Sequence, residues 1–373
     1  MTCGDTVVSA NPRDAGSRKS DLELVKLATT SALESMRREW KSLDTYSPSP
    51  LWDSIWFHEA IRAFESAGTP CIHAIKEREE FVAIAPFVNK AIRGVPRWCL
   101  AGAGELHEPV DFVAKDAASL RALLKAVSRE KFPILLERVP SDSASIGAVE
   151  SVFARRAIII KRPQAGCPFI DLDESWLEPE SHLNAGRRSD FRRASRKAAR
   201  AGSVEMEIHQ PGVDDVEALL DRAFEVEGKS WKGEAGTALI HDVSRARFFR
   251  EYARRAAEAG TLRVCFMTID GKPAAMQVAI EDKQGFWLLK VGYDEQYRSC
   301  SPGLLLMRET IRHSAAKGLR TYQFLGVAED WTAVWTKSEQ STLSMWIYPF
   351  SWRGFTALAT DVSSKVLARW SSS

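Results

Sequence analysis

The sequence predicts a mixed α/β (α+β) fold with mostly antiparallel sheets that are flanked by helices. The main observation is an ordered run of three strands, one helix and a fourth strand, at residues 262–269, 274–281, 285–291, 304–315 and 321–325. Between the first two strands, Asp270-Gly271 is a strong hairpin turn. A second strand-turn-strand block, at residues 71–89, repeats the first part of this pattern. Two hairpins can resemble each other by chance, so this repeat alone does not establish that the chain contains the same kind of unit twice.

Composition sets broad limits on function. The 373 residues are 45% hydrophobic, which is enough for two domains that each bury a core. The 51 basic and 49 acidic residues give a net charge of +2, so nucleic acid is not an expected partner. The six cysteines are scattered without metal-ligand or redox spacing, so we expect no metal and a reducing cytoplasm. No apolar run approaches the ~20 residues that cross a bilayer.

Changes of pattern along the chain suggest domain bounds. We expect a flexible N-terminal tail, an N-terminal domain, a C-terminal domain and an amphipathic C-terminal helix, at residues 1–20, 21–160, 161–350 and 351–373. The linker between the domains is expected within residues 140–165. The last helix spaces its apolar residues helically, at Phe355, Leu358, Val362, Val366 and Trp370. This stripe either packs on the core or holds the protein peripherally on the inner face of a membrane.

The segment from Gly292 to Gly303 joins a strand end to a helix start. Ser301 suits the N-cap of the helix, Pro302 suits its first turn, and Gly303 leaves the backbone uncovered. First-turn amides and the positive end of the helix dipole favour an anion such as a phosphate. An ordinary capped helix is the alternative. In the first half, Lys115 stands at the corresponding point without a glycine, so only the second half is expected to bind a phosphorylated donor.

The order of elements and the turn Arg298-x-x-Ser301-x-Gly303 resemble the core of the GNAT acyltransferase superfamily. With residues 289–295, Tyr297 and Ser230-Trp-Lys-Gly233, the chain resembles the bacterial cellulose and exopolysaccharide acetyltransferases, distant relatives of the Fem-type peptidoglycan amino-acid transferases. The resemblance implies two tandem GNAT-like folds and an acyltransferase. Where the family often shows Gly-Gly-x-x-x-Tyr-Lys, this chain has the different segment 326–332.

The resemblance also implies a donor site and its chemistry. Acyl-CoA, acetyl or longer, is the implied co-substrate, held by Val291, Gly292, Arg298, Ser301, Gly303 and Leu304. Acyl transfer needs a base for the acceptor and a proton for the departing thiolate. Asp294 is the first candidate for the base and Glu227 the second, while Asp294 alternatively caps the turn. Tyr293 or Tyr297 is expected to protonate the thiolate, unless they only pack.

The acceptor site is expected to include Trp231 and Lys232, and also the basic helix at residues 187–200 through Arg192 and Arg196. That helix is either a solvated face, a contact for a phosphate group, or a contact for anionic lipid. The first functional hypothesis is N- or O-acylation of a sugar of an exopolysaccharide or its lipid-linked precursor. The alternatives are N-acylation of a long-chain (sphingoid) amine as in a bacterial ceramide synthase, Fem-like aminoacyl transfer, and an inactive scaffold with a GNAT fold.

Overall fold

The structure is a computed structural model that describes residues 22–230 and 242–371, with side chains described as far as residue 364. The chain divides into two compact units. The first takes in the described residues up to Ala165 and those from Ser341 onward, and the second is Gly166–Gln340. Both units combine sheets with flanking helices, so the predicted fold class is confirmed.

The strands of the described residues are, in chain order, β1 (Leu22–Leu27), β2 (Thr69–Pro70), β3 (Ile72–Glu77), β4 (Glu80–Ala85), β5 (Phe87–Ile92), β6 (Val95–Leu100), β7 (Val113–Ala114), β8 (Ile134–Pro140), β9 (Ala157–Asp171), β10 (Val204–His209), β11 (Leu262–Ile269), β12 (Lys272–Glu281), β13 (Gly285–Tyr293), β14 (Thr321–Gln323) and β15 (Glu339–Pro349). The helices are α1 (Thr30–Lys41), α2 (Ser54–Ala63), α3 (Ala103–Leu106), α4 (Ala117–Arg129), α5 (Ala144–Phe153), α6 (Ala185–Ala201), α7 (Val216–Gly228), α8 (Val243–Glu258), α9 (Pro302–Ala316) and α10 (Trp352–Ser371). A 3₁₀ helix, Glu295–Cys300, precedes α9.

The first unit contains two sets of paired strands. In one, β1, β3, β4 and β7 are neighbours and all pairs are antiparallel. In the other, β2, β5 and β6 are antiparallel, β6 is parallel to β8, and β8 is antiparallel to β15. The strand-turn-strand block predicted at residues 71–89 treated residues 81–89 as one strand, and this prediction is wrong. Pro86 divides this segment into β4 and β5, because proline has no N–H to continue a strand ladder.

Two further expectations about this unit concern the segment 140–165 and the C-terminal helix. The segment 140–165 is not a linker, since it forms α5 and the first part of β9. Helix α10 is present as predicted, but Phe355 and Val362 of its predicted stripe are 55% and 53% exposed. The side chains of Val366 and Trp370 lie outside the described residues.

Helix α10 packs through a different face, which contains small and ionised residues. Gly354 lies so close to β15 that an added Cβ would be 1.9 Å from the Pro349 oxygen. Two turns further, Asp361 accepts a hydrogen bond of 2.6 Å from the Tyr348 hydroxyl and pairs at 2.9 Å with the fully buried Arg97. Breaking such a buried pair leaves an uncompensated charge, so the pair fixes which face of α10 is inward.

The second unit is built on one sheet with the strand order β10-β11-β12-β13-β14-β9. Strands β10 to β13 form an antiparallel meander, β14 is parallel to β13, and β9 is antiparallel to β14. The prediction for residues 262–269 is confirmed by β11. Positive φ angles of 50° at Asp270 and 74° at Gly271 confirm the tight hairpin turn.

Helices cover both faces of this sheet. Phe191 of α6 and Leu305 and Ile311 of α9 pack in one buried cluster with Met267 of β11. Helices α7 and α8 pack together, with α7 against β12 and β13. Helix α9 ends where predicted, before Gly318, whose φ of 69° suits a glycine C-cap. Strand β14 is shorter than the predicted 321–325, because the chain turns at Leu325 and Gly326 with φ of 57° and 56°.

Candidate active site

A cavity of about 470 Å³ lies within the second unit, beside the C-terminal part of β13. Strand β14 pairs with β13 only at Gly285–Trp287, whereas β13 continues to Tyr293. Two neighbouring strands that pair over only three residues and then separate leave a gap in the sheet. Residues of β12, β13 and the first turn of α9 line this gap.

The six residues predicted to hold the donor all line this cavity, namely Val291, Gly292, Arg298, Ser301, Gly303 and Leu304. Ser301 is the N-cap of α9, as predicted, but its backbone is left-handed, with φ 48° and ψ 51°, and its side chain makes no capping hydrogen bond. The cavity therefore meets a helix N-terminus that its own cap residue does not cover.

Some of the backbone amides predicted to bind a phosphate donate hydrogen bonds within the helix start instead. The amides of Leu304 and Leu305 both donate to the Ser301 carbonyl, at 3.1 and 3.2 Å, and Pro302 has no N–H. Among the residues that the structure describes, the Gly303 amide remains available to a ligand. The site thus offers one main-chain donor, the positive end of the α9 dipole and the exposed Arg298 guanidinium.

The two cavity glycines are required for different reasons. A Cβ added at Gly303 would approach Tyr293 Cδ1 at 3.7 Å, an ordinary contact, so the fold itself has room for a side chain there. A Cβ at Gly292 would lie 3.0 Å from the Cα of Glu227, which is tighter than side chains normally allow. The resemblance in sequence implies that Gly292 is among the residues that hold the donor. The structure adds a different reason for a glycine at this position, namely the close packing of α7 against β13.

The two carboxylates predicted as bases lie outside the cavity lining. Asp294 is 8% exposed and accepts a hydrogen bond of 2.9 Å from the Gln296 amide, which caps the 3₁₀ helix. This is the structural role that the sequence left open. Glu227 is 1% exposed, near the end of α7, and its backbone stands behind Gly292. Its carbonyl accepts a hydrogen bond of 2.6 Å from Ser230 Oγ.

The two predicted tyrosines differ in position. Tyr293 lines the cavity, and burial together with a hydrogen bond to Glu295 raises the pKa of its phenol. A phenol that stays protonated at neutral pH is available as a proton donor. Tyr297 is half-buried and packs against the hydrophobic core. Both tyrosines pack against this core, and of the two only Tyr293 also lines the cavity.

Of the four residues predicted for the acceptor, only Arg192 and Arg196 lie among the described residues. Trp231 and Lys232 lie outside the described residues. Arg192 and Arg196 are exposed on α6, where Arg196 Nε donates to the Arg192 carbonyl at 3.3 Å, and neither lines the cavity. Helix α6 buries the opposite face through Phe191, Ala194 and Ala198, as its spacing predicted.

Sequence reasoning missed the wall that the segment 326–332 supplies. Glu329 and Trp331 line the cavity, and Glu329 Oε2 accepts a hydrogen bond of 2.7 Å from Trp331 Nε1. The Glu329 amide also donates a hydrogen bond of 3.0 Å to Thr332 Oγ1. The signal was the departure of this segment from the Gly-Gly-x-x-x-Tyr-Lys pattern. A carboxylate beside an indole is a combination that binds cations.

Gln277 of β12 is a second residue that the sequence analysis missed. It is 1% exposed and lines the cavity. Its Nε2 makes a weak contact of 3.5 Å with the Met307 sulfur, and its Oε1 has no hydrogen-bond partner among the described residues. Either assignment of the amide leaves a buried polar atom in need of a partner. The available signal was one amide within the apolar run of β12.

The corresponding helix of the first unit has a different N-terminus. The Asp116 carboxylate caps α4 by accepting a hydrogen bond of 2.8 Å from the Ser119 amide. That bond, together with other hydrogen bonds at the helix start, holds the pKa of Asp116 below its usual value. A carboxylate already occupies the position that an anion would take at this helix start.

Comparisons with known proteins identify the second unit. Residues 185–332 match the family model of the acetyltransferase (GNAT) domain. The chain carries a GNAT acetyltransferase domain. The matched residues include all those that line the cavity. The match agrees with the expectation that the protein is an acyltransferase. The search of curated protein sequences found no match.

Solved structures share the fold at low sequence identity. FemX is 12% identical, with a TM-score of 0.55 over 84% of this chain and 96% of FemX. A conserved protein of unknown function from Bacteroides thetaiotaomicron VPI-5482 is 12% identical, with a TM-score of 0.54 over 86% and 97% of the two chains. A C-terminal domain from Agrobacterium fabrum, described as that of a lysylphosphatidylglycerol synthetase, is 12% identical, with a TM-score of 0.54 over 84% and 92%. The shared fold therefore extends well beyond residues 185–332.

Two searches of the described residues gave negative results. Within residues 22–230 and 242–371, no group of His, Cys, Asp and Glu side chains is arranged to hold a metal ion. Over the same ranges, no helix combines the length and the apolar character that spanning a bilayer requires.

Proposed function

We propose that the protein transfers an acyl group from acyl-CoA to an amino group, and that the cavity of the second unit is the active site. The observation that carries the proposal is the meeting, in one cavity, of the gap between β13 and β14 with the open N-terminus of α9. A GNAT acetyltransferase domain covers all of these residues.

The donor end of the cavity fits a diphosphate. The Gly303 amide, the dipole of α9 and the Arg298 guanidinium supply positive charge, and the absence of a side chain at Gly303 leaves room for the phosphate. Leu304 and Val291 add apolar surface for a chain that runs toward β13. Acyl-CoA, acetyl or longer, carries such a diphosphate and such a chain, and no metal is needed to bind it.

The acceptor end fits an amine better than a neutral hydroxyl. Glu329 is an exposed carboxylate and Trp331 presents an indole ring, so together they attract an ammonium group before it loses its proton. This feature supports N-acylation. An amino sugar of an exopolysaccharide or its lipid-linked precursor remains our first acceptor, because the indole can also stack on a sugar ring. A long-chain amine is the second, and a Fem-like aminoacyl transfer has less support.

The chemistry divides between two side chains. The acceptor nitrogen attacks the thioester carbonyl, the carbon–sulfur bond breaks, and the thiolate needs a proton. Tyr293 at the cavity wall supplies that proton from its phenol, and the phenolate takes up the second N–H proton that the attacking nitrogen loses as the amide forms. Glu329 receives the proton from the acceptor ammonium and passes it to solvent. We place this reaction in the cytoplasm, as the scattered spacing of the six cysteines predicts.

The test measures thiol release from acetyl-CoA and from long-chain acyl-CoA with matched panels of amines, amino sugars and hydroxyl compounds. We expect release with amines only. In the variant Glu329→Gln, the KM for the amine should rise about tenfold, which corresponds to ~1.4 kcal/mol, with donor affinity unchanged. Asp330→Asn is the matched control, because Asp330 is an exposed acid next to Glu329 that does not line the cavity.

Three results would overturn the proposal in different ways. Release with hydroxyl compounds but not amines would replace N-acylation by O-acylation. An equal rise in KM for Glu329→Gln and Asp330→Asn would reduce the role of Glu329 to general surface charge. Absence of thiol release with every donor, together with no CoA binding by calorimetry, would favour a scaffold over an enzyme.

A further inference from the structure

An exposed group of apolar side chains lies at the start of α10 in the first unit. We define the aromatic patch as Phe350, Trp352, Phe355 and Val362, which are 47%, 73%, 55% and 53% exposed. The rings of Phe350 and Phe355 stack with centroids 6.4 Å apart, so the patch is an organised surface. Exposed apolar surface of this kind commonly marks an interaction site.

The patch is not required for packing of the helix. Gly354, Ala357 and Asp361 form the inward face of α10, and Asp361 is held there by Arg97 and Tyr348. The patch occupies a different face of the same helix. Three aromatic rings within six residues therefore remain in contact with water without contributing to the core of the described residues.

Basic residues surround this surface. Phe350 donates its amide to the Arg156 carbonyl at 2.8 Å, and Ser351 Oγ donates to the Lys131 carbonyl at 2.9 Å, so both basic residues are adjacent to the patch. The Arg353 guanidinium lies 5.3 Å from the Trp352 ring centroid. Arg155 is also exposed at this edge. The nearby Glu130 is ion-paired with Lys26, so its charge is compensated.

We infer that the aromatic patch and its basic rim dock the first unit on an anionic phospholipid surface. Tryptophan and phenylalanine insert at the boundary between headgroups and acyl chains, and lysine and arginine around them attract anionic headgroups. Helix α10 lies along the membrane plane, with Trp352 and Phe355 inserted and its Asp361 face on the protein. The inference does not depend on acyl transfer.

Charge favours a bilayer over a second copy of the chain. A symmetric dimer through the patch would bring the basic rims of two copies together, since the same surface faces itself in a two-fold interface. Like charges repel across such a contact. An anionic bilayer accommodates both the aromatic patch and its basic rim. The aromatic side chains insert at the boundary between headgroups and acyl chains, and the anionic headgroups pair with Lys131, Arg155, Arg156 and Arg353.

The experiment sediments the full-length protein with vesicles of phosphatidylcholine, with or without phosphatidylglycerol. We expect binding to the anionic vesicles only, weakened by added salt. The double variant Trp352→Ser/Phe355→Ser should lower the partition coefficient at least about tenfold, since both anchors are lost. Tyr46→Ser is the matched control, because Tyr46 is a 46% exposed aromatic residue of the same unit outside the patch. Arg353→Gln should reduce binding to anionic vesicles alone.

The proposal fails if the wild-type protein does not sediment with anionic vesicles, or if it binds neutral vesicles equally well. It also fails if Tyr46→Ser loses binding as strongly as the double variant. A dimer in light scattering that the double variant dissociates, without vesicle binding, would show that a second copy covers the patch. Melting curves verify folding of each variant. If the double variant does not fold, the lipid and salt dependence of the wild type decides the question.

Discussion

Replacement of Gly303 tests whether the start of α9 holds the donor. Gly303 is the second residue of the helix, and its φ does not lie in the left-handed range. A Cβ at this position meets only Tyr293 Cδ1, at 3.7 Å. The variants Gly303→Ala and Gly303→Val therefore add atoms toward the cavity without displacing protein atoms by much.

The two expected effects differ in sign, which makes the test specific. Alanine is a better helix residue than glycine by up to about 1 kcal/mol, so the stability of Gly303→Ala should be unchanged or higher. A hydrogen bond to a charged group contributes roughly 1.5–3 kcal/mol, and side-chain atoms over the Gly303 amide remove it. We expect donor affinity to fall about tenfold for alanine and more for valine.

The assay is calorimetric titration with CoA, together with thermal melting of the same samples. Gly147→Ala and Gly147→Val serve as matched controls, because Gly147 lies in helix α5 of the first unit and a Cβ there meets nothing within 4 Å. The controls should keep both CoA affinity and stability. Normal CoA affinity in a folded Gly303→Val protein would refute the reasoning, because a diphosphate on that amide cannot tolerate a branched side chain.

Two further predictions concern buried polar groups. Replacement of Gln277 by leucine removes a buried oxygen that has no hydrogen-bond partner within residues 22–230 and 242–371, so the free energy of unfolding should be equal or higher. The Kd of the donor or the KM of the acceptor should rise about tenfold, and a variant with both constants unchanged would show that Gln277 binds no ligand. For Asp111, burial outweighs hydrogen bonds from Ser143, Ser145 and Phe112 and raises the pKa from 3.8 to about 6. The folded state then binds the proton more tightly than the unfolded state, and stability falls as pH rises from about 4 to about 6. Asp111→Asn should gain up to about 3 kcal/mol relative to wild type across this window in urea unfolding, and a constant difference would contradict the burial argument.

The parts of the fold that depend on neighbours in sequence were predictable. Strand β11 has a clear pattern, Asp270-Gly271 fits a turn with two positive φ angles, and Gly318 marks the end of α9. Each signal acts over a few residues. The division at Pro86 was missed because the same apolar run fits one long strand, and only the pairing partners assign its halves to different strands.

The site was predictable where one segment builds it and not where distant segments meet. The turn from Val291 to Leu304 lies beside the cavity because it is a continuous stretch between β13 and α9. The sequence cannot show whether an acid after a strand is a base or a cap, and the Gln296 amide decides this for Asp294. Glu329 reaches the cavity only because β14 ends early and the chain turns at Leu325, which no local pattern indicated.

The two units differ at their helix starts, and this difference is the reason why we propose a donor site in the second unit only. Helices α4 and α9 have the same backbone dipole, so the dipole alone cannot distinguish them. Asp116 places its carboxylate on the first-turn amides of α4, and an anion there would have to displace it and would meet its charge. Ser301 has a left-handed backbone and its hydroxyl makes no capping bond, so the start of α9 carries neither a competing acceptor nor a negative charge. The choice of cap residue, rather than the fold, is therefore the feature that supports our proposal of anion binding in the second unit.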